Sequence, residues 1–442
     1  MDRDKIAALI DAREKAYKKI STKSFDTIAT HGVYDLHEVT LNQGSIIEPV
    51  YMTTAQAFSS ADELQQALAY EIPSWAYSRI HNPSVYYLES TLALLESYQI
   101  SQEASCCVMS SGMAAITAVA DALLANAKKA NFVACSQVYG GTFQQFSVRQ
   151  HEKGREVRWV AASSALEIWQ AAIDEQTRFI YIEIPSNPGL TICDIESLAN
   201  LAQRHDIPLI VDATLATPAL LRPLQYGADI VIHSLSKIMS ASGMVIGGAI
   251  ISRANMRGSY LLDEMKKDFA SYLKLLPNRD NGACLSSMSA FLTLSELRTL
   301  RMRVDQLSQT ALTVADFLND HKMVEKVIYP GLKDHPQHDL AQSYFTLVDA
   351  GNGVNRYGHL LSFLVKGDLE KTKSVLSRLQ MIFRATDLGR IKSVATIPAI
   401  STHQQQGESG RDIADIPLNL IRLSVGGERP QDIVDDLAQA LG

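Results

Sequence analysis

The chain has 442 residues, 46% of them hydrophobic and 20% charged, a balance typical of soluble globular proteins of two or three domains that excludes a disordered or collagen-like chain. Lys and Arg number 41 against 48 Asp and Glu, a formal net charge of −7, and no long basic run is present to neutralise a phosphate backbone, so no nucleic-acid partner is expected. The most apolar stretches, such as Phe179 to Ile184, are strand-length, far below the roughly 20 residues of a membrane span, and no membrane partner is expected.

In chain order, the opening MDRDKIAALIDAREKAYKK is charged throughout and lacks an apolar signal core, which reads as a cytoplasmic start. One helix pattern is followed by extended, Pro- and Gly-punctuated chain (GSIIEPVYMTT) with little core of its own. Residues 1–80 are therefore expected to form an arm that packs on another subunit and contributes to its site. From about Ala104 to Ile251, short apolar runs alternate with turns and helical periodicity. SCCVMS, NFVACS, RFIYIEI, PLIVDA, ADIVIHS and GGAIIS are the predicted strands, most of them apolar on both faces, as in a mostly parallel sheet covered by helices. After about Asn281 long helices lead into further strand and helix patterns ending in IRLSVGG and DIVDDLAQAL. The expected organisation is an α/β fold with an arm (1–80), a ligand-binding domain (81–285) and a smaller C-terminal α/β domain (286–442).

Five cysteines, Cys106, Cys107, Cys135, Cys193 and Cys284, include no C-x-x-C pair and leave one over in any disulfide scheme. Four of them lie in or beside apolar runs, where a thiol behaves as a small hydrophobe, and no metal site is expected.

Four constellations carry chemistry. SSGMAAITAVADALLA opens a helix directly after a strand, so the free N–H groups at Gly112 and Met113 could cradle a phosphate or merely follow an N-cap. In DIVIHSLSKIMSASG, Lys237 follows a strand end and the hydroxyls of Ser234 and Ser236; its amine could form an imine if desolvated, or stand solvated in a loop. Asp212 closes the apolar strand PLIVDA, where a carboxylate needs a cationic partner such as a protonated pyridine, or serves as a helix cap. Asn187, in EIPSNP, follows another strand and either donates to a ligand oxygen or makes a turn. Strand ends of a parallel sheet share one rim, so Gly112, Asn187, Asp212 and Lys237 can converge on one ligand. No G-x-G-x-x-G or Walker loop follows any strand, so nucleotide-binding readings, a nicotinamide oxidoreductase among them, lose their main support.

These motifs, together with YSRIHNPS (Tyr77 to Ser84), VYGGTF, VDATLATP, NGACLS, YPGL and IRLSVGGE in the same order and spacing, resemble the pyridoxal-phosphate enzymes of cysteine and methionine metabolism, of fold type I. The resemblance runs from about Thr30 to Leu441. It implies a PLP-dependent transferase fold and pyridoxal 5'-phosphate as cofactor. Lys237 matches the lysine that carries the cofactor covalently, Asp212 the partner of the pyridine nitrogen, and Tyr139 the tyrosine stacked on the ring. Gly112, Met113, Ser234 and Ser236 match the phosphate cradle, and Thr214 belongs with the same cofactor-binding group. Tyr77 and Arg79 match residues that reach the phosphate from a neighbouring subunit, which makes a dimer the minimal unit and a homotetramer of two tight dimers the expected assembly. Asn187, Ser393 and Arg422 match groups holding the ring oxygen side and the substrate α-carboxylate.

The wording is similar to O-acetylhomoserine sulfhydrylases, implying an amino-acid substrate with sulfide or a thiol as second partner and γ-replacement as the reaction. Methionine γ-lyases, cystathionine γ-synthases and lyases, and a non-catalytic PLP-binding relative are the alternatives; methionine γ-lyases usually carry a cysteine where this chain has Gly141. The chain departs from the family pattern in IMSASGM after Lys237, which lacks a Gly-His pair, in SVATIP (Ser393 to Pro398), and in the polar stretch near Tyr357.

Overall fold

The computed structural model describes residues 3–72, 74–125, 129–351 and 353–442, and its architecture is α/β. The larger sheet contains β1 (Ala104–Met109), β2 (Asn131–Cys135), β3 (Glu156–Val160), β4 (Thr177–Glu183), β5 (Leu209–Asp212), β6 (Ile230–Ser234) and β7 (Gly248–Arg253), in the order β1-β7-β6-β5-β4-β2-β3. Strands β6, β5, β4, β2 and β3 run parallel, and β7 is antiparallel to both β1 and β6. Six of these strands correspond to the apolar runs of the sequence. The seventh, β3 (EVRWV), has no such signature because it is an edge strand: only Val160 is fully buried, and Arg158 turns to Asp174 at 2.6 Å instead of to a core.

Burial on both faces explains the composition of the central strands. Every residue of β2 and β5 is buried, and the covering helix Ile195–Arg204 buries Ile195, Leu198, Ala199, Leu201 and Ala202 on one stripe. The helix Gly112–Leu123 begins where Ser111 caps it by accepting from the Ala114 N–H at 3.0 Å. It buries Ala115, Ile116, Val119, Ala120 and Leu123 at helical spacing. Side chains as large as Ile116 and Leu123 contribute about 2 kcal/mol each when buried, which fixes the position of the helix start at the sheet rim.

A second sheet of β8 (Val324–Ile328), β9 (Leu360–Val365), β10 (Phe383–Arg384), β11 (Val394–Thr396) and β12 (Leu420–Ser424) has the order β10-β11-β12-β9-β8. The long helix Leu300–Asn319 joins the two units, with Leu300, Val304 and Leu307 in the large core and Ala311, Val314, Ala315 and Leu318 in the small one. A third, small cluster of Leu190, Leu215, Leu360 and Leu388 draws on both units and marks their seam.

Before residue 80 the chain forms the helices Arg3–Ser21, Phe25–His31, Leu36–Leu41 and Ala61–Leu68. Phe25, Ile28 and Ala29 join the large core of their own chain, while Leu36, Ile46 and Met52 are exposed. Cys107, Cys135 and Cys193 are buried, Cys106 and Cys284 are half-buried, and all five are free thiols. Among the described residues no helix is long and apolar enough to cross a membrane. No group of three or more His, Cys, Asp and Glu among them is placed to hold a metal ion.

Candidate functional site

The carboxyl ends of β1, β4, β5 and β6 lie on one rim of the large sheet and open onto a cavity of about 370 Å³ at the seam with the small unit. Ten residues singled out in the sequence line it. Gly112 and Met113 come from the helix start, Tyr139 and Asn187 from loops after β2 and β4, and Asp212 and Thr214 from the end of β5. Ser234, Ser236 and Lys237 follow β6, and Arg422 projects from β12 of the small sheet.

Asp212 is a buried carboxylate held by neutral donors. Its Oδ1 accepts from the Thr214 N–H at 3.0 Å and the Thr214 hydroxyl at 2.6 Å, and its Oδ2 from the Tyr181 hydroxyl at 3.2 Å. Burial pushes its carboxyl up from the ordinary range, and the Thr214 bonds offset part of that. Glu183, one strand over in direct register with Asp212, is pushed up further by burial and then by the Asp212 charge. It accepts from the Tyr139 N–H at 2.7 Å and so fixes the start of the Tyr139 loop.

Lys237 donates from Nζ to Asp387 Oδ1 at 3.0 Å. Burial lowers its pKa, Arg422 and Arg390 lower it further, and Asp387 opposes them. Arg422 is 2% exposed and is spread over three acceptors: Asn187 Oδ1 at 3.0 Å, and the carbonyls of Thr386 at 3.0 Å and Asp387 at 2.9 Å. Burial brings it down to about 10, and the adjacent His359 and His403 are held neutral, each lowered to about 4 by burial and then by the Arg422 charge. The guanidinium is thus a buried positive charge on this wall, with Arg390 a second cation lining the cavity.

Three expected residues are not brought to the cavity. Tyr77 and Arg79 are exposed and stack on each other, the guanidinium carbon 5.3 Å from the ring centroid, with Arg79 also donating to the Arg279 carbonyl. Ser393 is fully buried: its hydroxyl donates to Glu428 at 2.8 Å and accepts from the Gly426 N–H at 2.8 Å, and its own N–H goes to Glu428 at 2.7 Å. Glu183, Asp387 and Arg390 line the cavity without having been singled out. Glu183 ends an apolar run as Asp212 does, which is a usable signal; Asp387 and Arg390 lie in a loop some 150 residues beyond Lys237 with no local pattern.

The cavity suits a flat cationic heterocycle bearing a phosphate. Asp212 supplies the buried anion that such a ring nitrogen requires, Lys237 a desolvated amine, and the helix start with its neighbouring serines the anion cradle. The backbone comes close because glycine permits it: β7 starts at Gly248, in register with both Met109 and Ser234, and a Cβ there would stand 2.2 Å from the Ser111 carbonyl oxygen and 2.8 Å from the Gly112 nitrogen. Gly248→Ala is therefore expected to push the helix start out of place and weaken pyridoxal-phosphate binding about tenfold, as forced overpacking costs about 1–3 kcal/mol. Absorbance titration at unchanged far-ultraviolet circular dichroism measures this.

A buried acid, a desolvated lysine and an anion cradle on the rim of a mostly parallel sheet define a pyridoxal-phosphate enzyme. The chain belongs to the Cys/Met metabolism PLP-dependent enzyme family, whose model matches residues 27–442. It is 33% identical to L-methionine gamma-lyase of Fusobacterium nucleatum over 415 residues, covering 93% of this chain and 97% of the relative. It is 34% identical to O-acetyl-L-homoserine sulfhydrylase 1 of Thermus thermophilus over 436 residues, covering 94% and 99%. Among solved structures it resembles Campylobacter jejuni metY, described as an O-acetylhomoserine (thiol)-lyase and crystallised with N'-pyridoxyl-lysine-5'-monophosphate. That match has a TM-score of 0.84 at 32% identity and covers 95% of this chain and all of the other.

Proposed function

We propose that the protein catalyses γ-replacement on O-acetylhomoserine: sulfide or a small thiol takes the γ-carbon, acetate leaves, and homocysteine or methionine is formed. The convergence of Lys237, Asp212, Tyr139 and Arg422 on one cavity carries the pyridoxal-phosphate chemistry of this reading. It is supported by relatives named as O-acetylhomoserine sulfhydrylases in Corynebacterium glutamicum and Thermus thermophilus.

Pyridoxal phosphate, when bound, supplies an electron sink for the α-carbon. Arg422 clamps the α-carboxylate and, with Asn187, sets the angle at which the α-proton faces Lys237. Asp212 keeps the ring nitrogen protonated by stabilising its positive charge. The Lys237 amine moves protons between the α- and β-carbons, and the Tyr139 hydroxyl protonates the departing γ-substituent.

The reading of replacement over methionine elimination is favoured at Gly141. A Cβ at that position would stand 2.5 Å from the Tyr139 ring and 3.1 Å from the Met113 sulfur, so the cysteine usual in methionine γ-lyases does not fit this placement of Tyr139. Tyr77 and Arg79, exposed in a segment that also exposes Met52, Leu64 and Leu68, suit a contribution to a neighbouring subunit's phosphate site. A dimer that shares the exposed part of residues 1–80 follows from that reading, and a homotetramer of two such dimers is the assembly the family resemblance implies. Five free thiols agree with a reducing, cytoplasmic compartment.

The test is a panel of O-acetylhomoserine with sulfide or methanethiol, then methionine, cystathionine and O-succinylhomoserine, scoring thioether or homocysteine against 2-oxobutanoate. Replacement product from the acetyl ester is expected to dominate. Predominant 2-oxobutanoate from methionine makes the protein a lyase instead, and no turnover of any substrate by cofactor-loaded protein makes it a non-catalytic binder.

A further inference from the structure

The turn after Lys237, one of the segments that depart from the family pattern, meets the loop that carries Asp387. Asp387 sits in the connection between β10 and β11, held from behind by Arg422, whose Nη2 takes the Thr386 and Asp387 carbonyls. Its Oδ1 accepts from Lys237 Nζ at 3.0 Å, and its Oδ2 from Arg390 Nε. Arg390 in turn donates from Nη1 to the Ser240 carbonyl at 3.0 Å, and the Ile391 N–H goes to the Ala241 carbonyl at 3.0 Å. The IMSASG turn after Lys237 and the loop that carries Asp387 are thereby locked together, and both Asp387 and Arg390 line the cavity.

We propose that Asp387 is a positioning residue for Lys237, holding the free amine at a fixed point beside the reacting carbons and, balanced by Arg390, setting the pH at which that amine exchanges its proton. The inference rests on Lys237 being the cofactor-bearing lysine of the reading above. An amine that must take a proton from one carbon and give it to the next loses efficiency with every rotamer it can wander into, and a carboxylate partner at 3.0 Å removes that freedom.

The charge balance around the amine gives the sign. Asp387 and Arg390 face Lys237 from the β10–β11 connection, Arg422 from β12, and His359, held neutral, from the residue before β9. Asp212, Glu183 and Tyr139 line the same cavity from the large sheet. Asp387 is the anion in contact with the amine, and Arg422 and Arg390 are the opposing cations. Removing Asp387 therefore favours the neutral amine, and removing Arg390 favours the charged one.

The experiment follows acetic anhydride labelling of Lys237 against pH in the full-length, cofactor-stripped protein, read by peptide mass spectrometry. It compares the parent with Asp387→Asn, Asp387→Glu and Arg390→Gln, each verified as folded by circular dichroism. The labelling midpoint is expected to fall by at least about one pH unit in Asp387→Asn, to return toward the parent in Asp387→Glu, and to rise in Arg390→Gln. The pH profile of kcat should move with the midpoint. An unchanged midpoint in Asp387→Asn, or shifts of the same sign in Asp387→Asn and Arg390→Gln, overturns the proposal. Borohydride reduction of the holoenzyme, mapped to peptides, separates this from failure of the underlying reading: a label absent from residue 237 removes the reading itself, whereas a label at 237 with an unmoved midpoint removes only the role of Asp387.

Discussion

Lys237→Ala is expected to eliminate borohydride-fixable cofactor and to lower turnover by at least about 10³-fold. Two losses combine. The covalent tether disappears, leaving the cofactor to a helix terminus that contributes on the order of 1 kcal/mol, to the Asp212 carboxylate at the ring nitrogen and to a handful of hydroxyl and amide donors. The carrier of the α- and β-protons disappears as well, and positioned acid–base groups are worth roughly 10²–10⁴-fold. The fold is expected to survive, because Lys237 belongs to the cavity wall: its Nζ partner is Asp387, and its backbone N–H goes to the Ser234 carbonyl whatever the side chain. Peptide mapping after borohydride, beside a circular dichroism spectrum, checks both halves. Retained fixation in the variant would place the cofactor on another amine and end the assignment.

Arg422→Ala is expected to raise KM for the amino-acid substrate by roughly 10²–10⁴-fold while leaving the cofactor absorbance in place. Losing two charge-assisted hydrogen bonds to a carboxylate costs about 1.5–3 kcal/mol each, and each 1.4 kcal/mol is tenfold. The truncation also strips a donor from Asn187 Oδ1 and from the carbonyls of Thr386 and Asp387, so Arg422→Lys is the necessary companion. It keeps a charge but cannot span the same three acceptors, and its KM should fall between the other two. Initial-rate kinetics at saturating second substrate measures the effect. A KM equal to the parent's in Arg422→Ala removes the carboxylate-binding role.

The large sheet is legible in the sequence wherever both faces are covered, since LIVD and FIYIE read as continuous apolar runs, and it is illegible at β3, where an edge strand mixes Glu156 and Arg158 with Trp159. Asp212 and Lys237 stand out for the same reason that β5 and β6 do: each is a charge at or just beyond the end of a buried run. Asp387 and Arg390 follow the two-residue strand β10, both of whose residues are exposed, and nothing in TDLGRIK distinguishes a cavity wall from a surface loop. Ser393 shows the converse, because its nearest partner, Glu428, lies 35 residues on in the GGE turn and takes both its N–H and O–H inward. Pairings of that kind depend on how β11 lies against β12, which local pattern does not encode.

The helix Leu300–Asn319 keeps one end in each core. Such a helix pins the two units to one another: sliding along the seam would tear Leu307 or Ala311 out of its packing. Arg422 rides on the small unit and Lys237 on the large one, so the span between carboxylate clamp and amine is set by a rod seated in both cores, and a change that loosens either seat is felt at the substrate.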